Sequence, residues 1–287
     1  MSNYRIITDS CADFPRDMIP ALDIDIVQLS LLFRGNELVD PSDAQIQEMY
    51  NALRAGESAS TSAVNPLGWK TAIEPVLASG KDALVLVFSS GLSTTYQSAV
   101  IAAEELAEEY PDRTVKVVDT LCASLGQGLF VWYACKKRDE GLSLEELYAW
   151  CEENKLNLAH WFTVDDLMFL KRGGRISAAT ALLGTMLNIK PVLHVDDEGH
   201  LVSVSKCRGR KAALNALVKK LETDGLPGEN ETVFISHGDC LEDARYVADQ
   251  VKTLYGVKTV VIGYVGAVIG SHSGPGTVAF FFLGKHR

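Results

Sequence analysis

The sequence predicts an α/β fold in two domains. The first is a mostly parallel sheet flanked by helices, and the second is a smaller α/β (α+β-like) unit. Three observations lead there. Short apolar runs alternate with amphipathic stretches of helical period, the pattern of βαβ units. At 287 residues the chain is long for one domain and comfortable for two. The charge balance also changes midway: residues 1–160 hold 12 Lys/Arg against 24 Asp/Glu, and residues 161–287 hold 15 against 13. The domains are therefore drawn as 1–160 and 161–287.

The elements follow in order. Residues 4–8 form a strand, and residues 24–33 supply one or two extended runs. Pro41 and a Ser-x-x-Gln capping box, Ser42 with Gln45, start a helix whose Ile46, Met49, Tyr50 and Leu53 share one face. Another helix is predicted over 66–78. The apolar strand 83–88 passes through a hydroxyl-rich turn into a helix over 93–110, with Leu92, Tyr96, Ala99, Ala103, Leu106 and Tyr110 at helical spacing. Strand 114–119 and a helix over 123–138 come next. Gly141 ends that helix, and Ser143 with Glu146 caps its successor.

The second half opens near His160 with a strand over 161–164, then the basic glycine-containing loop 170–177. A very apolar helix around Leu182, Leu183, Met186 and Leu187 follows. Runs 191–196 and 201–206 read as a hairpin turning at Asp197-Glu198-Gly199. Helix 209–222, strand 232–236, helix 241–255, strand 257–263 and a buried strand over 277–283 complete the pattern.

Composition excludes several classes. A net charge of −10 argues against nucleic acid as the main ligand. The six cysteines never form Cys-x-x-Cys and no Cys/His cluster has zinc spacing, so free thiols in a reducing cytoplasm are expected, with no metal. The chain enters its first strand without a signal-peptide core, and the apolar tract 260–269 is too short to span a bilayer. A cytoplasmic, soluble protein is the expectation.

The turn at 88–95 carries the strongest chemical signal. Ser90, Ser93, Thr94 and Thr95 surround a predicted helix N-terminus, where free N–H groups and the positive dipole end favour an anion. No Lys, Arg, Asp, Glu or His lies between Asp82 and Glu104, so the donors are neutral and suit a carboxylate. Ordinary helix capping explains the same hydroxyls equally well. Two more polar turns, Thr8-Asp9-Ser10 and Asp119-Thr120, end other strands and complete a possible rim.

Three functional classes compete for these residues. A serine/histidine hydrolase acting on a small acyl substrate would use the Ser93 turn with His272, yet Thr95 stands where a nucleophile elbow has its second Gly. A nucleotide enzyme lacks both glycine fingerprints, leaving only Lys171-Arg172-Gly173-Gly174-Arg175 as a phosphate loop. A small-acid or lipid carrier needs neutral donors, a nearby His and a dry channel. Thr61, Ser62, Ser93 and Thr94 with His272 meet the first two needs. Leu182, Leu183 and Met186, with Phe280 and Phe282, are candidates for the channel, although such residues more often form plain core.

Six motifs in order resemble the DegV family. They are Ile7-Thr8-Asp9-Ser10, Thr61-Ser62, Phe88-Ser89-Ser90-Gly91-Leu92-Ser93, Leu170-Lys171-Arg172-Gly173-Gly174-Arg175-Ile176, residues 187–193, and Gly270-Ser271-His272-Ser273-Gly274-Pro275-Gly276. The resemblance covers nearly the whole chain. It implies a two-domain protein that binds one long-chain fatty acid, with no cofactor and no turnover of its own. Some members serve as the binding subunit of a bacterial fatty acid kinase, presenting the acyl carboxylate to an ATP-using partner subunit for phospholipid synthesis. Others imply lipid carriage, with transient membrane contact. By the same resemblance, Thr61 and Ser93 would bond the carboxylate and His272 would complete the head-group network. Arg172 and the 206–211 cluster, including Arg208 and Arg210, would face the kinase. Thr94 departs from the family's usual Gly and either narrows the head-group site or adds a hydroxyl to it. Ala63-Val64-Asn65-Pro66 also replaces a Gln-Pro type continuation.

Overall fold

The computed structural model describes residues 3–177 and 188–287. The expected apolar helix with Leu182, Leu183 and Met186 lies outside the described residues. In chain order the elements of the first half are β1 (Tyr4–Asp9), α1 (Ile19–Leu22), β2 (Asp25–Val27), β3 (Ser30–Phe33), β4 (Asn36–Val39), α2 (Asp43–Arg54), β5 (Ala59–Ser62) and α3 (Pro66–Ala78). Then come β6 (Asp82–Val87), α4 (Thr95–Glu109), β7 (Val115–Asp119), α5 (Leu125–Asp139) and α6 (Leu144–Asn154). The rest comprises β8 (Leu158–Thr163), α7 (Met168–Arg172), β9 (Ile189–Val195), β10 (Leu201–Arg208), α8 (Arg210–Asp224) and β11 (Thr232–His237). Last are α9 (Leu241–Tyr255), β12 (Thr259–Tyr264), α10 (Ala267–Ser273) and β13 (Val278–Leu283).

Local chemistry explains the helix starts. Ser42 Oγ accepts from the Gln45 N–H while the Ser42 N–H donates to Gln45 Oε1 at 2.9 Å, and Ser143 and Glu146 make the same reciprocal pair. At α3, Asn65 Oδ1 accepts from the Gly68 N–H at 2.8 Å, and Pro66 occupies the first turn, where its missing N–H costs nothing.

The parallel sheet has strand order β2-β1-β6-β7, and the larger mixed sheet has order β10-β9-β8-β13-β11-β12. In the second, β13 runs antiparallel to both neighbours and β11 pairs parallel with β12. A small antiparallel sheet, β4-β3-β5, joins part of the expected extended run 24–33 to two strands, β4 and β5, that the sequence does not predict.

The two large sheets stack with helices between and outside them. Trp69 and Ile73 of α3 and Ala99 and Leu106 of α4 bury one face of the parallel sheet against Ile7, Val85 and Val87. Leu125, Leu129 and Phe130 of α5 lie between the sheets, in one core cluster with Ile6, Leu84 and Leu86 of the parallel sheet and Phe162, Phe234 and Phe281 of the mixed one. Each such side chain, fully buried, contributes roughly 1.5–3 kcal/mol. Leu214, Leu217 and Val218 of α8 and Val247 and Val251 of α9 cover the outer face of the mixed sheet. Among the described residues no helix is long and apolar enough to cross a membrane.

Strand alternation corrects one expectation. Successive side chains on β13 point to opposite faces. Ala279 and Phe281 therefore face α5 and the interior between the sheets. Phe280 and Phe282, taken above as channel lining, pack on the outer face against α8 and α9.

Candidate ligand-binding site

A cavity of about 440 Å³ opens between the carboxyl ends of the parallel strands and the inner face of the mixed sheet. Carboxyl strand ends are where α/β sheets hold their ligands. Phe88, Leu92, Phe162, Leu170, Val195, Leu201, Val268, Ile269, Ala279 and Phe281 make most of its wall apolar.

Polar groups gather at one end. Thr61 reaches it because β5 alternates: Thr61 pairs with Leu31 on the inner side of the small sheet, while Ser62 pairs with Ser30 on the outer side. Ser62 is exposed and outside the cavity, which corrects its place in the expected carboxylate set. Thr61 Oγ1 lies 2.8 Å from His272 Nε2 on α10. Burial and the nearby Arg175 charge push the His272 imidazole down to about 4, so it stays neutral at ordinary pH. Gly173 backs onto the other ring nitrogen: a Cβ there would overlap His272 Nδ1.

Gly173 is in a helical conformation, φ −70°, so its need is space and not backbone freedom. Gly173→Ala is therefore expected to fold but to push His272 off Thr61. Imidazole NMR titration should then find His272 ionising closer to its ordinary value. An unchanged titration would show that the close approach has no role in holding the ring.

Ser93 and Thr94 precede α4. Ser93 Oγ accepts from the Thr95 N–H at 3.2 Å and lies 2.8 Å from Thr95 Oγ1, so it satisfies the first N–H of α4 while facing the cavity. Thr94 lies exposed at the rim, also on the cavity wall. Other strand-end residues serve as scaffolding. Asp9 Oδ2 accepts from the Phe88 N–H at 2.7 Å and its Oδ1 from the Cys11 N–H at 3.0 Å, and burial pushes its carboxyl up to about 6. Asp119 Oδ1 accepts from the N–H groups of Ser90 and Leu121 at 3.2 and 3.1 Å.

Sequence reasoning placed Arg175 in a basic glycine-containing loop and a family motif without giving it a role of its own. In the structure it lines the cavity, donating from Nε to Leu92 O at 3.2 Å and from Nη1 to Gly173 O. Burial lowers its pKa. Among the described wall residues Arg175 is the one Lys or Arg, and none is Asp or Glu. The signal was its place next to Gly173-Gly174, where the chain can turn a cation inward.

His160 was also missed. It is buried on β8, with Nδ1–H donating to Leu158 O at 2.8 Å and Nε2 accepting from the Ala123 N–H at 3.3 Å. Both nitrogens are satisfied in the neutral ring, and burial holds its pKa well below the usual value. Ser273 Oγ is a buried hydroxyl on the wall with no hydrogen-bond partner among the described residues.

The basic residues expected at a partner surface divide. Arg172 is exposed on α7, its guanidinium 4.5 Å from the Phe169 ring centroid, and Arg208 is exposed at the end of β10. Arg210 is not similarly available: it is 2.8 Å from Asp243 and 3.6 Å from Asp165 in ion pairs.

Comparisons with known proteins agree on one lineage. A family model described as "Uncharacterised protein, DegV family" matches residues 3–285. A DegV domain-containing protein of Clostridium perfringens is 46% identical over 289 residues, covering 100% of this chain and 99% of its own. A solved DegV family protein from Thermus thermophilus, described by its fatty acid binding, is 33% identical with a TM-score of 0.87, covering 98% of this chain and 99% of that one. A DegV lipid-binding protein from Thermotoga maritima is 30% identical with a TM-score of 0.85, covering 100% of both chains. The fold, the cavity's position and the match over nearly the full length lead to one conclusion: this chain belongs to the DegV family.

Proposed function

We propose that this protein binds one long-chain fatty acid, burying the acyl chain in the cavity and holding its carboxylate at the polar end. One observation carries the reading: a continuous chain of contacts lines that end. Thr61 bonds His272, His272 abuts Gly173, Gly173 O accepts from Arg175, and Arg175 donates to Leu92 beside Ser93. Hydroxyl donors, a neutral imidazole and one guanidinium match a single carboxylate.

The wall suits an acyl chain. Thr277, Ala279 and Phe281 all border the cavity. From the first to the last is four residue steps along and just before β13, roughly 13 Å at about 3.3 Å each. Solved relatives from Thermus thermophilus and Thermotoga maritima, described as fatty-acid and lipid binders, support the same ligand class.

A hydrolase needs its serine against its histidine. Here Ser93 bonds Thr95 and His272 bonds Thr61. This favours a binding protein that presents its ligand, either to an ATP-dependent fatty acid kinase subunit for acyl-phosphate formation or for lipid transport. Exposed Arg172, three residues from Arg175, and Arg208 are the proposed partner-facing cations.

Denaturing extraction and mass spectrometry of protein purified from a bacterial host should yield a stoichiometric long-chain fatty acid. Protein that is empty and takes up neither palmitate nor oleate would reject the reading. In Ser93→Ala the carboxylate loses a donor at a cost of about 1–3 kcal/mol, so affinity should fall about 5- to 150-fold. Titration calorimetry with palmitate measures this, and wild-type affinity would remove Ser93 from the site.

A further inference from the structure

Arg287 lies behind the cavity, outside its lining, and its guanidinium reaches three segments of the wall's backbone. It donates to Thr120 O at 3.3 Å, Leu121 O at 2.6 Å and Cys122 Sγ at 3.1 Å, just before α5. It also reaches Lys155 O at 3.1 Å and Leu158 O at 3.3 Å beside β8, and Asp196 O at 3.1 Å in the β9–β10 turn. Each segment leads directly into wall residues: Ala123 and Ser124, His160 and Phe162, and Val195 and Leu201.

The first segment is strained. Leu121 and Ser124 have φ of 55° and 53°, in the left-handed region that side chains other than Gly, Asn and Asp rarely adopt. Such backbone persists where its surroundings over-determine it. A planar fork with five donors can satisfy several carbonyls at once, which a lysine ammonium on a flexible stem does less well. The network continues inward, because Leu158 O also accepts from His160, whose Nε2 takes the Ala123 N–H.

We propose that Arg287 is a positioning residue for the cavity. It pins the strained 120–124 segment and the β9–β10 turn against β8, and so limits how fast a bound acyl chain escapes. This rests on the fatty-acid reading of the cavity.

The test compares the full-length wild type with Arg287→Ala and Arg287→Lys by hydrogen–deuterium exchange and by dissociation of the fluorescent fatty acid cis-parinaric acid. In Arg287→Ala, exchange should rise over 119–125 and 196–201 but not over 89–95, and the probe should leave at least tenfold faster. Arg287→Lys should fall between the two, and it carries the same comparison if the alanine variant does not fold. Unchanged exchange in those two segments overturns the proposal whether or not probe binds, as does a uniform rise along the whole chain. A wild type that takes up no probe overturns the fatty-acid reading instead, and the exchange map still decides Arg287.

Discussion

Replacing Arg175 with Met should weaken palmitate binding by roughly two orders of magnitude while leaving the fold intact. Its guanidinium borders the cavity, and its hydrogen bonds go to the carbonyl oxygens of Leu92 and Gly173. No wall residue among those described supplies a carboxylate to it. A ligand carboxylate would provide the missing counter-charge. Truncating one partner of a buried, hydrogen-bonded charge pair costs about 2–5 kcal/mol. Arg175 is only partly buried, and solvent screening moves the expectation to the lower part of that range, about 2–3 kcal/mol. Met keeps the apolar stem, so loss of packing is minimised. Titration calorimetry reads the effect, with Arg172→Met as the control because Arg172 is exposed over Phe169. Equal affinities for wild type and Arg175→Met would mean that the carboxylate lies elsewhere.

What the chain discloses in advance follows how local each interaction is. The caps at Ser42 and Ser143 depend on residues three apart, so both helix starts were legible. The parallel sheet was legible because its buried strands read as continuous apolar runs. Thr61 and His272 are 211 residues apart, and no periodicity joins them; the donor chemistry a carrier needs, and ordered motifs resembling one family, made them candidates together. Strand phase was the main failure. In Phe280-Phe281-Phe282 the apolar pattern has no period, so composition is silent on which ring faces the cavity and which faces α8. Ser62 failed for the same reason, its hydroxyl neighbour Thr61 taking the inner face of a four-residue strand. Arg175 was obscured by its basic neighbours, with which it reads as one glycine-containing loop until the chain's path turns it inward.

Asp13→Asn should make the protein more stable at pH 8, by several degrees in Tm, and change little at pH 4. The Asp13 carboxylate is enclosed by Ser124, whose Oγ donates to Oδ2 at 2.6 Å, and by Gly266, whose N–H also donates to it. Burial pushes its pKa up to about 7, with the neighbouring Asp9 charge adding to the rise. The unfolded chain ionises this group near its ordinary value of 3.8. Between those values the unfolded state releases a proton that the folded state retains. The group's stabilising contribution is thus complete below about pH 4 and lost as pH rises through 7. The shift is on the order of 2–4 kcal/mol at most. Asn remains neutral throughout and tolerates the φ of 52° at this position. Its Oδ1 can take the Gly266 N–H while its NH₂ faces Ser124 Oγ, whose hydroxyl turns toward Ser236 Oγ, 3.0 Å away. His160, His237 and His272 have lowered pKa values and oppose folding increasingly as pH falls below about 6.5, but they are common to both proteins. The difference in Tm between variant and wild type, followed from pH 4 to 8, therefore isolates the carboxylate. A difference that stays constant across that range would mean that Asp13 is already ionised in the folded protein at pH 5. The enclosure by Ser124 and Gly266 would then stabilise the charge instead of suppressing it.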